Sequence, residues 1–182
     1  MALFFSCLAL IEYETCLLYK AIVDKTEDLR VRLLLFNILA ETKKHKGVLE
    51  QMSKIYGQTY PPQMADCNKM MGKVFKESVE FARSLRRKSR KGLPLLQVME
   101  NLVDYEKAIG EEYATIIYSQ LKILQTREAA MKKILEYIVM DEERHVEALR
   151  LAIRIEKGRR KQRSSTAISE SKARNGYADV VV

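Results

Sequence analysis

The sequence predicts an all-α chain: four long helices in two hairpins, a crossover helix joining the hairpins, and a polar C-terminal tail. Three observations carry this. Apolar residues recur at helical spacing over nearly the whole length. Only 7 Gly and 3 Pro occur in 182 residues, too few to turn the chain about every 8–12 residues as a sandwich or barrel requires. The chain also repeats itself: the segment from Glu12 to Tyr19 parallels that from Glu106 to Tyr113, and residues 40–49 parallel 140–149, aligning His45 with His145.

The first helix is predicted over residues 3–23 and opens on an apolar run at 2–11. That run is too short to span a bilayer, and it lacks the basic start and small-residue cleavage site of a signal peptide. Asp24 and Glu27 form a capping box that restarts the chain as a second helix to about residue 56. Gly57, Pro61 and Pro62 break it. The crossover helix follows over 64–88 and ends in a basic cluster at 86–91. Gly92 and Pro94 open the third long helix, which runs to about residue 124. Thr126 caps the fourth, predicted to end near residue 160, and the polar remainder is a tail. One bundle domain, residues 1–162, is therefore expected, with residues 163–182 outside it.

Lys+Arg 32 against Asp+Glu 24 gives a net charge of +8, which attracts anions without naming one. The basic runs at 86–91 and 157–163 contain no interleaved aromatics, so they read as solvated helix ends and no nucleic-acid partner is expected. Three cysteines, Cys7, Cys16 and Cys67, form no paired motif. The expectation is a disulfide-free protein in a reducing, cytoplasmic setting, with no cysteine-held metal and no membrane partner.

The chemistry lies in the repeated units, which hold both histidines. Stepping by three and four residues gives one stripe per long helix. These are Leu8, Glu12, Cys16, Tyr19 and Val23; Leu35, Ile38, Thr42, His45 and Leu49; Leu102, Glu106, Ile109 or Gly110, Tyr113 and Ile117; and Leu135, Ile138, Glu142, His145 and Leu149. Carboxylates and imidazoles thus interrupt faces that should point inward. An ionised carboxylate in a core costs several kcal/mol unless it is compensated. A pair of divalent metals would compensate three of them, and Glu142 and His145, at i and i+3, can reach one ion from a single helix face. Cys16 and Gly110 each follow a stripe Glu by four residues. Small residues there leave room beside a metal or allow close helix packing.

At these residues the chain resembles the ferritin-like di-iron carboxylate proteins, most closely the rubrerythrin type. Their pattern is one Glu on each of two helices and Glu-x-x-His on each of the other two. The resemblance covers about residues 5–160. It implies a ferritin-like four-helix bundle with Glu12, Glu106, Glu142, His45 and His145 as ligands of two iron ions, other divalent metals such as Mn or Zn being alternatives. Thr42 stands where the pattern has Glu, and Glu41, one residue earlier, is the candidate substitute ligand. Asp141 matches Glu41 and is a spare carboxylate. Tyr19, Tyr113, Thr42 and Asp141 are expected beside the ligands rather than among them. The implied activity is an oxidoreductase acting on peroxide or dioxygen. Alternatives are an iron-oxidising storage or handling protein and a non-catalytic bundle whose site has decayed at Thr42. No cysteine pairs exist for a rubredoxin-like iron, so an external electron donor is implied, and a homodimer is the expected assembly.

Overall fold

The computed structural model describes residues 1–57, 61–121 and 129–175, with the backbone alone for 112, 113, 115–121 and 163–175. Among these residues there are six helices and no strand. They are α1 (Ala2–Val23), α2 (Leu29–Ile55), α3 (Met64–Met71), α4 (Lys73–Arg90), α5 (Leu95–Leu121) and α6 (Ala129–Asn175).

Side-chain pairs fix the helix directions. Ser6 meets Ser53, and Lys46 lies over the Tyr13 ring, so α1 and α2 are antiparallel. Lys157 pairs with Glu100 while Gly110 lies against Glu142, so α5 and α6 are antiparallel. Tyr56 reaches Met131 and His45 reaches Asp141, so α2 and α6 also oppose each other. Glu14 pairs with Arg83, and Lys25 with the Ser89 carbonyl, which lays α4 parallel to α1. The two hairpins therefore run up-down and down-up, with α3 and α4 carrying the chain back between them. Phe5, Leu8, Leu18, Tyr19, Ile22, Leu35, Ile38, Leu49, Met99, Leu102 and Leu135 are fully buried and make up much of the core.

Several sequence expectations are corrected. The second helix starts at Leu29, not at Asp24: Asp28 is its N-cap and accepts from the backbone N–H of Arg30 at 2.9 Å and Val31 at 3.3 Å, while Asp24 closes α1. The crossover is two helices because Gly72, at φ 63°, turns the chain between α3 and α4. Residues 161–175, expected as tail, continue α6 as helix to Asn175. The predicted end of the third helix near residue 124 and the cap at Thr126 lie outside the described residues, as does the chain beyond Asn175.

Cys7 and Cys67 form a disulfide with Cα atoms 5.5 Å apart, contrary to the disulfide-free expectation. The bond joins α1 to α3 across a sequence separation of 60, so no local spacing announced it. By length and composition α1 could cross a membrane, yet 78% of its apolar window is buried. It is covered by α2 on one side and by α3 and α4 on others, which explains an apolar surface that extends almost all round.

Candidate metal centre

The four stripes converge. Glu12 on α1, His45 on α2, Glu106 on α5, and Glu142 and His145 on α6 are all between 1% and 4% exposed. Their ligating atoms form two groups that could each hold a metal ion: Glu12, His45 and Glu142, and Glu106, Glu142 and His145. Within each group these atoms lie within 4.8 Å of one another, and Glu142 belongs to both. The imidazole rings are 5.9 Å apart.

Each histidine turns Nδ1 toward the carboxylates. His145 Nδ1 is 3.1 Å from Glu142 Oε2 and 3.7 Å from Glu106 Oε2. His45 Nδ1 lies 3.5 Å from Glu142 Oε1, makes no hydrogen bond, and is fully buried. A buried ring nitrogen without a hydrogen bond is costly unless something else occupies its lone pair. It faces two carboxylates, and that arrangement fits a cation.

The far ring nitrogens are held by acids from the opposite hairpin. His45 Nε2 is 2.8 Å from Asp141 Oδ2, and His145 Nε2 is 3.0 Å from Glu41 Oε2. A carboxylate can only accept there, so each Nε2 donates outward, and Nδ1 is the ring nitrogen turned toward the inner carboxylates. Glu41 therefore does not replace Thr42 as a ligand beside His45. One residue of helix is a turn of about 100°, which moves Glu41 off the inner face and onto His145. Asp141 is no spare carboxylate either: it braces His45 and is itself paired with Lys44 at 2.9 Å and with Arg144.

Thr42 is 1% exposed and returns its hydroxyl to the Ile38 carbonyl at 2.9 Å. It offers the centre no carboxylate, so Glu142 is the one acid shared by the two groups among the described residues. Tyr19 donates to Glu106 Oε1 at 2.5 Å. Tyr113, its sequence counterpart, has a side chain outside the described residues. Cys16, a free thiol next to Glu12 in the stripe, is pushed up to about 12 by burial and by the Glu12 charge, so it is an inert neighbour.

Electrostatics separate this cluster from the other buried acids. Glu14 takes Arg83 at 2.7 Å and Arg86 at 3.4 Å. Glu156 takes Arg159 and Arg160. No Lys or Arg pairs with Glu106 or Glu142 among the described residues. Burial and the Glu142 charge push Glu106 up to about 7. Glu142 is also penalised by burial, but the hydrogen bond from His145, with the His45 ring and the Glu106 carboxyl beside it, outweighs this and holds it below the usual carboxylate range. Burial would lower His145, yet its bonds to Glu106 and Glu142 raise it to about 11. Without metal the centre therefore holds protons in place of cations.

Sequence reasoning placed Asp141 beside the ligands without naming His45 as its partner, and it missed the bracing roles of Lys44, Arg144 and Glu41. The signal was present in the repeat: acid, base and His align at 41/141, 44/144 and 45/145, while 42/142 and 43/143 depart. A cavity of about 430 Å³ opens between α5 and α6, with Glu106 and Glu142 in its lining. Comparison with protein-family models, with curated proteins and with solved structures finds no match.

Proposed function

We propose that this protein holds two iron ions in the paired Glu/His groups and is an oxidoreductase acting on peroxide or dioxygen. The observation that carries it is the buried pair of three-residue groups sharing Glu142. The up-down, down-up order with one crossover supports it, because ferritin-like di-iron proteins use one long crossover and inward Glu and Glu-x-x-His residues. Manganese or zinc would suit the same N/O donors, and the redox reading favours iron. Two iron ions would supply, one electron each, the two electrons that peroxide reduction to water consumes.

The chain's own contribution is positioning. Asp141 and Glu41 fix both imidazole tautomers, so no ring rotation accompanies binding. Tyr19 pins one oxygen of Glu106 and leaves the other beside His145. Leu102, Leu135 and Ile138, on the same stripes as the ligands, are buried, and of the acids lining the cavity Glu106 and Glu142 are the buried ones. An external donor returns the electrons.

Anaerobic titration with ferrous iron, followed by one equivalent of peroxide, tests the reading. Two irons per chain, oxidised together within the mixing time, are expected. Glu142→Ala should lower the content to less than one iron per chain, because both groups lose a ligand. A folded wild-type protein that binds no iron, or binds it without reaction with peroxide or dioxygen, overturns it.

A further inference from the structure

We infer that the end of the bundle where α2 begins and α4 finishes docks on an anionic lipid membrane, with Leu29, Leu33 and Phe36 entering the lipid. This surface makes no use of the metal centre, and docking requires no metal.

The two basic runs lie far apart in sequence, and each alone reads as a solvated helix end. Folding brings them to one end of the bundle. Lys25 Nζ donates to the Ser89 and Arg90 carbonyls at 2.9 and 3.3 Å, which sets the end of α4 beside the end of α1. Arg159 reaches Glu27 at 3.6 Å and Lys157 reaches Glu100 at 2.9 Å, which sets α6 beside the starts of α2 and α5. The segments gathered there, residues 20–32, 86–101 and 156–162, carry thirteen Lys or Arg against five Asp or Glu. Their net +8 equals the charge of the whole chain. All five acids are paired within this end: Asp24 with Lys20, Asp28 with Arg30, Glu27 and Glu156 with Arg159, and Glu100 with Lys157. Arg32, Arg87, Lys88, Arg90 and Lys91 are exposed and form no ion pair among the described residues. Unpaired cations gathered at one pole attract an extended anionic surface.

An apolar stripe starts at the same end. Leu29, Leu33 and Phe36 stand at i, i+4 and i+7 on the outer face of α2 and are 75%, 68% and 54% exposed. They line a groove of about 430 Å³ between α1 and α2, bordered by Lys20, Arg32 and Lys43, with Asp24 its only acid. Large apolar side chains flanked by Lys and Arg mark a helix face that lies in the headgroup boundary of a membrane. The same charges select against other occupants. A second copy docking through this stripe about a twofold axis would bring the bordering cations of the two copies together. A nucleic acid would satisfy the cations, but Leu29 and Leu33 offer its bases no ring to stack on.

Flotation of the full chain with vesicles of phosphatidylcholine, alone or with about one-third phosphatidylserine, tests the proposal. The anionic vesicles should capture it at least tenfold more strongly at low salt, and about 0.5 M NaCl should release it. Arg87→Gln with Lys91→Gln, and separately Leu33→Ser with Phe36→Ser, should each weaken capture about tenfold. All four side chains are exposed, so the melting temperature should hold in both variants. The chain has no Trp, so Leu33→Trp places a single fluorophore on the stripe. Its emission should shift to the blue on anionic vesicles and be quenched by lipids brominated in their acyl chains. Tyr137→Trp, toward the opposite end of the bundle, should show neither change. Equal capture by both kinds of vesicle, capture unaffected by either double substitution, or bound Leu33→Trp protein without quenching would overturn the proposal. So would tighter binding to duplex DNA than to vesicles at the same salt, or a dimer that Leu33→Ser with Phe36→Ser splits.

Discussion

Asp141 and Glu41 occupy equivalent places in the repeat, yet the two histidines they hold are not equally secured. Asp141 is 2% exposed and is fixed by Lys44 and Arg144 as well as by His45. The Glu41 side chain is 25% exposed. An acceptor already locked by two cations loses less entropy on orienting a ring than a solvated one. Asp141→Ala should therefore cost more metal affinity than Glu41→Ala, on the order of 10–100-fold against a few-fold. Competition titrations with a chromogenic zinc chelator measure both, and a larger loss from Glu41→Ala would show that bracing does not control affinity here. Inward residues were legible at this scale because stripe position depends only on helical period. The crossed bracing was not, since it depends on which helix of the other hairpin lies alongside.

Helix periodicity marked the long elements well and their joints poorly. Apolar stripes survive small errors of register, whereas a cap or a break depends on one residue. Asp28 rather than Asp24 starts α2 because its carboxylate satisfies two first-turn N–H groups after the Thr26 hydroxyl has bonded back to the Ile22 carbonyl. Gly72 reads in sequence as a tolerated helix glycine, but its φ of 63° and ψ of −136° turn α3 away from α4. That turn lets α3 bring Cys67 to Cys7 on α1 while α4 continues along the bundle. Nothing within 4 Å would obstruct a Cβ at Gly72, so the cost of Gly72→Ala is one of backbone conformation alone. It should destabilise by about 1–3 kcal/mol, while Gly47→Ala, inside α2 with equally open space, should stabilise by about 0.5–1 kcal/mol. Urea unfolding of the two variants checks the pair, and equal effects would mean that Gly72 is not held in that conformation.

For the whole molecule, stability without metal is tied to the protons in its centre. A group whose pKa is raised by folding lends stability that is complete below its ordinary value and lost as pH rises through the folded value. Glu106 goes from 4.5 to about 7, and His145 from 6.5 to about 11. Both therefore remove stability as pH climbs, Glu106 between about 4.5 and 7 and His145 from about 6.5 upward. Glu142 is depressed, so its contribution is present at neutral pH and lost only in acid. The metal-free protein should accordingly be most stable near pH 5 and lose on the order of 1–3 kcal/mol by pH 8. Metal reverses the dependence, because ligation requires the deprotonated groups and releases the protons that Glu106 and His145 carry. Zinc should then raise the melting temperature more at pH 8 than at pH 6, with proton release visible as a buffer-dependent binding enthalpy. Thermal melts of both forms across this range decide it. Metal-free stability that climbs steadily from pH 5 to 8 would mean that Glu106 is ionised and compensated by something other than a proton, and the cluster would then lose its electrostatic reason to take up a cation.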